Sequence, residues 1–322
     1  MSKTPLYKRL KYQNIFFVLV LVAFVVFLVL LIKSSDNDSS SSSVADSSSA
    51  DVQDDSNAGD SSLTESLTSQ SVLGKIEYKY MKFSESAVHE GELILVSPNY
   101  AFSGQAPQDC ISTYDYMYNS NRDKLFSIRN SEVKAKSITL TAVNQMMSDF
   151  YNLYGQAALV LMNGYNPNDK TMEAATGYSV EFFYHNSDGT YSVFNPLGTY
   201  AWISDNAYKY GLIMRYPDEK FSVTGISGST GVIRYVGQPH AQIMYKNNMC
   251  LEEYLDFIKG HTYDNAIAYT TDDGKNYAVY YAASEGDETN IKIPTDSDGD
   301  AYKFSISGNN SDGYIITVKL PD

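Results

Sequence analysis

The chain has 322 residues, with 38 acids against 24 Lys and Arg, a net charge of −14 and two cysteines. That balance argues against nucleic acid and against simple electrostatic binding of anionic polymer or lipid, and one cysteine pair is no disulfide framework. Residues 1–72 hold five bases and eight acids, which leaves about −11 on the remainder.

Residues 15–32 are an uninterrupted apolar run without a charge. At about 1.5 Å per helical residue it approaches the roughly 30 Å hydrocarbon core of a bilayer. It exceeds the ~7–15 apolar residues of a cleaved signal peptide, the alternative reading. Lys3, Lys8, Arg9 and Lys11 precede it with no acid among them. The positive-inside rule therefore places residues 1–14 in the cytoplasm and everything after residue 32 outside, as a single-pass membrane protein. Residues 33–72 are rich in Ser, Asp and Asn, with eight acids and one base. Such a segment buries too little apolar surface to offset its ordering entropy, so a disordered linker is expected.

In the remainder, residues 92–96 (ELILV) read as a buried strand closed by a turn at 97–99. Residues 142–154 place Val143, Met146, Met147, Phe150 and Tyr154 on one helical face, with Thr141 as a candidate cap. Residues 157–162 read as a buried strand, and 177–184 with 191–194 as a hairpin around Asn186-Ser187-Asp188-Gly189. A helix over 202–210, a strand over 211–216 and a helix over 252–258 follow. Helices mixed with antiparallel strands in this order indicate an α+β fold, an antiparallel sheet with flanking helices, over residues 73–260. From residue 261 to 322 short β runs between Asp/Gly/Asn turns suggest a small β-rich appendage. Asp296, Asp298 and Asp300 lack the glycine position and closing Glu of a calcium loop, so a solvated turn is the default. Cys110 and Cys250 are either a single bridge or two buried thiols.

Arg234-Tyr235-Val236-Gly237, within the segment 210–255, resembles the C-terminal half of the VanY-like D-alanyl-D-alanine metallocarboxypeptidases, which trim bacterial cell-wall peptides. The resemblance spans roughly residues 92–259 and implies three landmarks. The first is a strand ending in Ser-Gly-Tyr-Arg-Ser, whose Arg helps hold the substrate carboxylate. It falls here on Asn163, Gly164, Tyr165, Asn166 and Pro167, and a neutral Asn166 cannot reproduce a bidentate guanidinium clamp. The second is a zinc-binding His followed seven residues later by a zinc-binding Asp. Thr176, Gly177 and Val180 align it, so that Ala174 takes the His position and Glu181 the Asp position. The third is a Glu-Pro-Trp-His block just before the Arg-Tyr-Val-Gly phrase, with Glu as base and His as the last zinc ligand. Here Ser229 stands for the base and Val232 for the ligand. The stretch between the first two landmarks is also short, which implies a missing helix and a more open cleft.

Catalytic zinc needs about three protein ligands, and a base for its water. Glu181 alone remains, so neither a catalytic residue nor a metal cofactor is expected. The resemblance then implies an inactive, membrane-anchored, extracytoplasmic relative that binds cell-wall peptide or a protein partner. Its degenerate cleft would be marked by Asn163, Tyr165, Asn166, Ala174, Glu181, Ser229 and Val232. Two alternatives stand beside it. One is an active carboxypeptidase with a relocated metal site drawn from His89, His185, His240 and His261, with Glu181 and His185 on one strand face. The other is a structural module assembling through the β appendage. His240 is expected on the polar side of its helix. A serine mechanism at Ser227 or Ser229 lacks the Gly-x-Ser-x-Gly elbow and a recognisable base.

Overall fold

Twenty elements of regular structure, short 3-10 turns aside, build the part of the computed structural model that is described, residues 72–119 and 125–321. The expected membrane helix and nearly all of the expected linker lie outside those residues. No helix among the described residues is long and apolar enough to cross a membrane.

In chain order the elements are β1 (Tyr78–Ser84), β2 (Cys110–Ser112), α1 (Thr113–Asn119), β3 (Ser127–Ile128), β4 (Lys134–Lys136), α2 (Ser137–Tyr154) and β5 (Leu159–Asn163). There follow β6 (Ser179–His185), β7 (Tyr191–Val193), α3 (Ala201–Asn206), β8 (Leu212–Met214), α4 (Phe221–Thr224), β9 (Val232–Tyr235), α5 (His240–Lys246) and α6 (Leu251–Lys259). The chain closes with β10 (Ile267–Thr270), β11 (Asn276–Ala283), β12 (Glu288–Pro294), β13 (Phe304–Gly308) and β14 (Gly313–Lys319).

The main sheet has the order β3-β5-β6-β9-β8, and β7 adds to the C-terminal half of β6. All its pairs are antiparallel except β3 with β5. Helix α2 lays Val143, Met146, Met147 and Phe150 on this sheet, against Leu159, Leu161, Val180 and Phe182. It begins at Ser137, earlier than its apolar face suggests. Thr141 is therefore inside the helix, where its hydroxyl donates to the Ser137 carbonyl at 2.8 Å rather than capping the end. Gly155, with φ 84°, ends it in a backbone state that glycine adopts at low cost.

The second sheet, β10-β11-β14-β13, does not stand apart from the first. Ile267, Val279 and Ile315 share one core with Ile243, Tyr254 and Ile258 of α5 and α6, with Ile213 of β8 and with Val236 just after β9. Strand β1, near the start of the described residues, pairs along its whole length with β12.

Leu93, Ile94 and Val96 are buried, but residues 92–96 are not a strand. Their backbone groups are met by side chains and a loop: Leu93 N–H by Ser307 Oγ, Leu95 N–H by the Asn309 carbonyl, and the Glu92 and Ile94 carbonyls by Arg234. A buried apolar run must satisfy its amides, but a sheet is only one way to do so.

Candidate functional site

Three neighbouring strands bring the sequence candidates together. Asn163 at the end of β5 lies opposite Glu181 on β6, and Glu181 lies opposite Val232 on β9. Ala174 sits in the single 3-10 turn Glu173–Thr176 that leads into β6, and Ser229 lies just before β9. Ala174, Glu181, Ser229 and Val232 line one recess of about 80 Å³. The recess shares Asn163, Ala174 and Glu181 with a cleft of about 580 Å³ that also holds Tyr165 and Asn166. All seven candidates thus line one continuous hollow. Between β5 and β6 that 3-10 turn is the only helical element, as the short spacing between landmarks suggests. A separate groove of about 390 Å³ beside β8, lined by Tyr208, Met214, Met244 and Tyr245 among others, contains none of the seven.

The polar contacts inside the hollow are few. Asn163 Nδ2 donates to Glu181 Oε2 at 2.6 Å. Asn166 is turned back on its own loop: its N–H meets the Ala174 carbonyl at 2.9 Å, and its Oδ1 accepts from Asn168 N–H at 3.1 Å. Tyr216, only 2 % exposed, lines the recess, and its hydroxyl has no hydrogen-bond partner among the described residues. Arg129 is the one cation lining the cleft, held by its N–H to the Leu161 carbonyl.

Directly behind the recess lies a buried ion network that the residue-by-residue reading missed. Glu173, the neighbour of Ala174, accepts Arg215 Nε at 2.7 Å on one oxygen and Arg234 Nη1 on the other. Arg215 also makes a two-point pair with Glu252 of α6, at 2.9 and 2.8 Å. Burial works against the charge on Arg215, but Glu173 and Glu252 outweigh it and raise its pKa. Glu252 is itself held below the usual carboxylate range, the pull of Arg215 exceeding the effect of burial. The signal was present in the sequence as single arginines inside the apolar strands Leu212–Met214 and Val232–Tyr235 or at their ends. A buried guanidinium requires a carboxylate. Arg234, which opens the recognised phrase, is therefore structural: it ties β9 to Glu173 and to residues 92–94.

The donor set does not fit the zinc ion that the resemblance implies. Of the three ligand positions only Glu181 offers an oxygen, and no group of three or more His, Cys, Asp or Glu suited to a metal exists among the described residues. The histidines are engaged elsewhere. His89 bonds Asn310, His261 faces the Asn265 carbonyl, and His185 stacks on Tyr191. His185 is four residue steps along the strand from Glu181, roughly 13 Å of rise, and side chains stand across a strand rather than along it. His240 corrects the expectation of a polar-facing residue. It is buried between Tyr254 Oη at 2.6 Å and Thr317 Oγ1 at 2.8 Å, and burial lowers its pKa to about 3. Both cysteines are free thiols. Neither Ser227 nor Ser229 has a His or carboxylate partner among the described residues, as a nucleophile would need.

Gly231, just before β9, is closely packed. A Cβ added there would lie 2.2 Å from the Phe182 carbonyl oxygen, and that carbonyl belongs to β6, whose N–H at Phe182 bonds the Gly231 carbonyl. Gly231, which the resemblance aligns with the Trp of the Glu-Pro-Trp-His block, has no space for a side chain in this backbone.

No family model matches the chain. A D-alanyl-D-alanine carboxypeptidase of Enterococcus faecium is 30% identical over 250 residues, which cover 73% of this chain and 77% of the relative. The chain belongs to the VanY-like D-alanyl-D-alanine carboxypeptidase family. A D-alanyl-D-alanine carboxypeptidase of Enterococcus faecalis is 40% identical over 89 residues, 28% of this chain and 31% of the relative. The fold is that of the vancomycin-resistance D,D-dipeptidase VanXYg, solved with a D-Ala-D-Ala phosphinate analogue. That structure is matched at a TM-score of 0.63 and 23% identity, over 76% of this chain and 100% of the solved one. As a member of the VanY-like family the chain keeps the family's frame.

Proposed function

We propose that this protein is a membrane-anchored, extracytoplasmic recognition member of the carboxypeptidase family, which holds a cell-wall peptide in the old cleft without hydrolysing it. One observation carries this reading. The positions aligned with the three ligands and the base converge on a single recess, and only Glu181 among them carries a charged or metal-binding group. A frame preserved to this degree around a site stripped of its chemistry is what retained binding with relaxed catalysis leaves behind. The steric block at Gly231 supports the same view, since single reversions would not rebuild the landmark. The apolar run at residues 15–32 with its basic flank supports the anchor, and the acidic, Ser-rich residues after it support a spacer between membrane and wall.

The test is calorimetric binding of a pentapeptide ending in D-Ala-D-Ala to the purified chain, with and without added zinc. The reading expects the same affinity in both and an intact peptide recovered at the end. Binding that requires zinc would contradict it.

A further inference from the structure

Strand β1 pairs with β12 and with no other strand among the described residues. Two bonds at the ends of this ladder fix its alternation, Thr295 N–H to the Glu77 carbonyl and Glu85 N–H to the Asp287 carbonyl. Odd-numbered residues of β1 therefore bond β12, and the N–H and C=O groups of Tyr78, Tyr80 and Lys82 point away from it. Those groups have no hydrogen bond among the described residues, and all three residues are exposed, Tyr80 at 60 %.

The other edge of the ribbon is closed. The Lys292 carbonyl accepts Tyr280 Oη at 2.5 Å, the Pro294 carbonyl accepts Tyr302 N–H at 3.1 Å, and Pro294 has no N–H to leave unpaired. Proteins usually blunt an open edge with a short strand, a proline, a bulge or a free charge. Strand β1 runs for seven residues with no proline and an unbroken register. Met81 and Phe83 pack on the core, which puts Tyr78, Tyr80 and Lys82 on the outer face, and the Lys82 charge is already paired with Glu288 at 2.8 Å.

The open stretch is also symmetric. The Ile76 carbonyl accepts Tyr263 Oη at 3.5 Å and the Ser84 carbonyl accepts Tyr314 Oη at 3.0 Å, so the free groups run from Tyr78 to Lys82 with Tyr80 at their centre. An edge centred on one residue is matched by its own copy turned about a two-fold axis. We propose that two copies of this chain join through β1, antiparallel, with the axis at Tyr80, as a continuous sheet in the order β12-β1-β1-β12. About six main-chain hydrogen bonds form across such a junction. Tyr80 lies opposite its own equivalent, Tyr78 opposite Lys82, Lys79 opposite Met81 and Glu77 opposite Phe83, so no like charges face each other. Moving the axis to Lys79 or to Lys82 would set two lysines against one another. The junction uses none of the cleft residues, so peptide binding and self-association can each fail without the other.

Sedimentation equilibrium of the full chain in density-matched detergent tests the junction. The expected result is a reversible monomer–dimer equilibrium. Tyr80→Pro removes the outward N–H, and Tyr80→Lys sets two ammonium groups at the axis; each should raise the dissociation constant at least tenfold. Residue 80 is exposed and its main-chain groups face away from β12, so thermal unfolding should show both variants folded, and Tyr80→Lys carries the test if the proline variant does not fold. A short bis-maleimide should join two Tyr80→Cys chains, and should not join Leu153→Cys chains, whose cysteine lies on an exposed part of α2. A chain that stays monomeric at every concentration overturns the proposal. So does a dimer whose dissociation constant is unchanged in the folded variants, since another surface then holds it.

Discussion

Glu173→Gln changes one oxygen to an amide at a site where two fully buried guanidinium groups meet. The side chain keeps its shape, yet Arg215 and Arg234 lose a shared counter-charge. Arg215 retains the two-point pair with Glu252. Arg234 retains only the Glu92 and Ile94 carbonyls, both neutral, and its Nε already lacks a partner. The substitution thus leaves one buried charge with only the nearby, unbonded Glu92 carboxyl group to offset it, a defect of about 3–5 kcal/mol when a buried pair is broken from one side. For a domain of this size about 1 kcal/mol moves Tm by roughly 2–4 °C, so Tm should fall by about 6–20 °C. Urea unfolding should show the midpoint moving with the slope m unchanged, the mark of lost stability rather than an altered unfolded state. Glu181→Gln is the internal control. Its carboxylate is half-buried and meets one neutral amide, so its loss should cost under about 1 kcal/mol. If Glu173→Gln costs no more than Glu181→Gln, the account of Arg234 as a structural residue held by Glu173 is wrong.

Other consequences can be checked in the same preparations. His240 is neutral when folded because burial lowers its pKa to about 3, against about 6.5 unfolded. The unfolded chain therefore binds the extra proton between those values, and stability should fall by about 1.4 kcal/mol per pH unit as pH drops from 6.5 towards 3. His240→Gln should flatten that part of the curve, and an unchanged slope would refute the assignment. Gly231→Ala should destabilise by about 1–3 kcal/mol through overpacking against the Phe182 carbonyl; a neutral result would mean that β6 and β9 separate easily there. Burial pushes the thiol of Cys110 up to about 11 and that of Cys250 to about 12, so both should react slowly with a thiol reagent at pH 7 until urea unfolds the chain. Fast labelling of either in the native state would contradict their placement.

Much of this arrangement was readable before any coordinates. The hairpin around Asn186–Gly189 and the helix carrying Tyr254, Leu255 and Ile258 follow from turn chemistry and apolar spacing. The gathering of Ala174, Glu181 and Val232 was implied by the family resemblance alone, and the structure places the three around one recess. What periodicity could not supply was the partner of a buried polar group. Residues 92–96 have the composition of a strand, but Arg234, Ser307 and Asn309, distant in sequence, satisfy their amides instead. His240 lies on a short helix whose outer face is covered by Thr317 of β14, a contact over more than seventy residues that no local pattern encodes. Glu173 carries no local pattern that marks it as buried, and only the inward arginines of β9 and of the residue after β8 reveal its role.

The central claim, a carboxypeptidase frame that recognises without cutting, is tested most directly by release of D-alanine. The purified chain is incubated with a pentapeptide ending in D-Ala-D-Ala while zinc is titrated from none to excess, and free D-alanine is measured over time. The account predicts no release above the peptide-only control at any zinc concentration, from a chain whose binding to the peptide is measured in the same solution. Zinc-dependent release of D-alanine, lost again in Glu181→Gln, would contradict it.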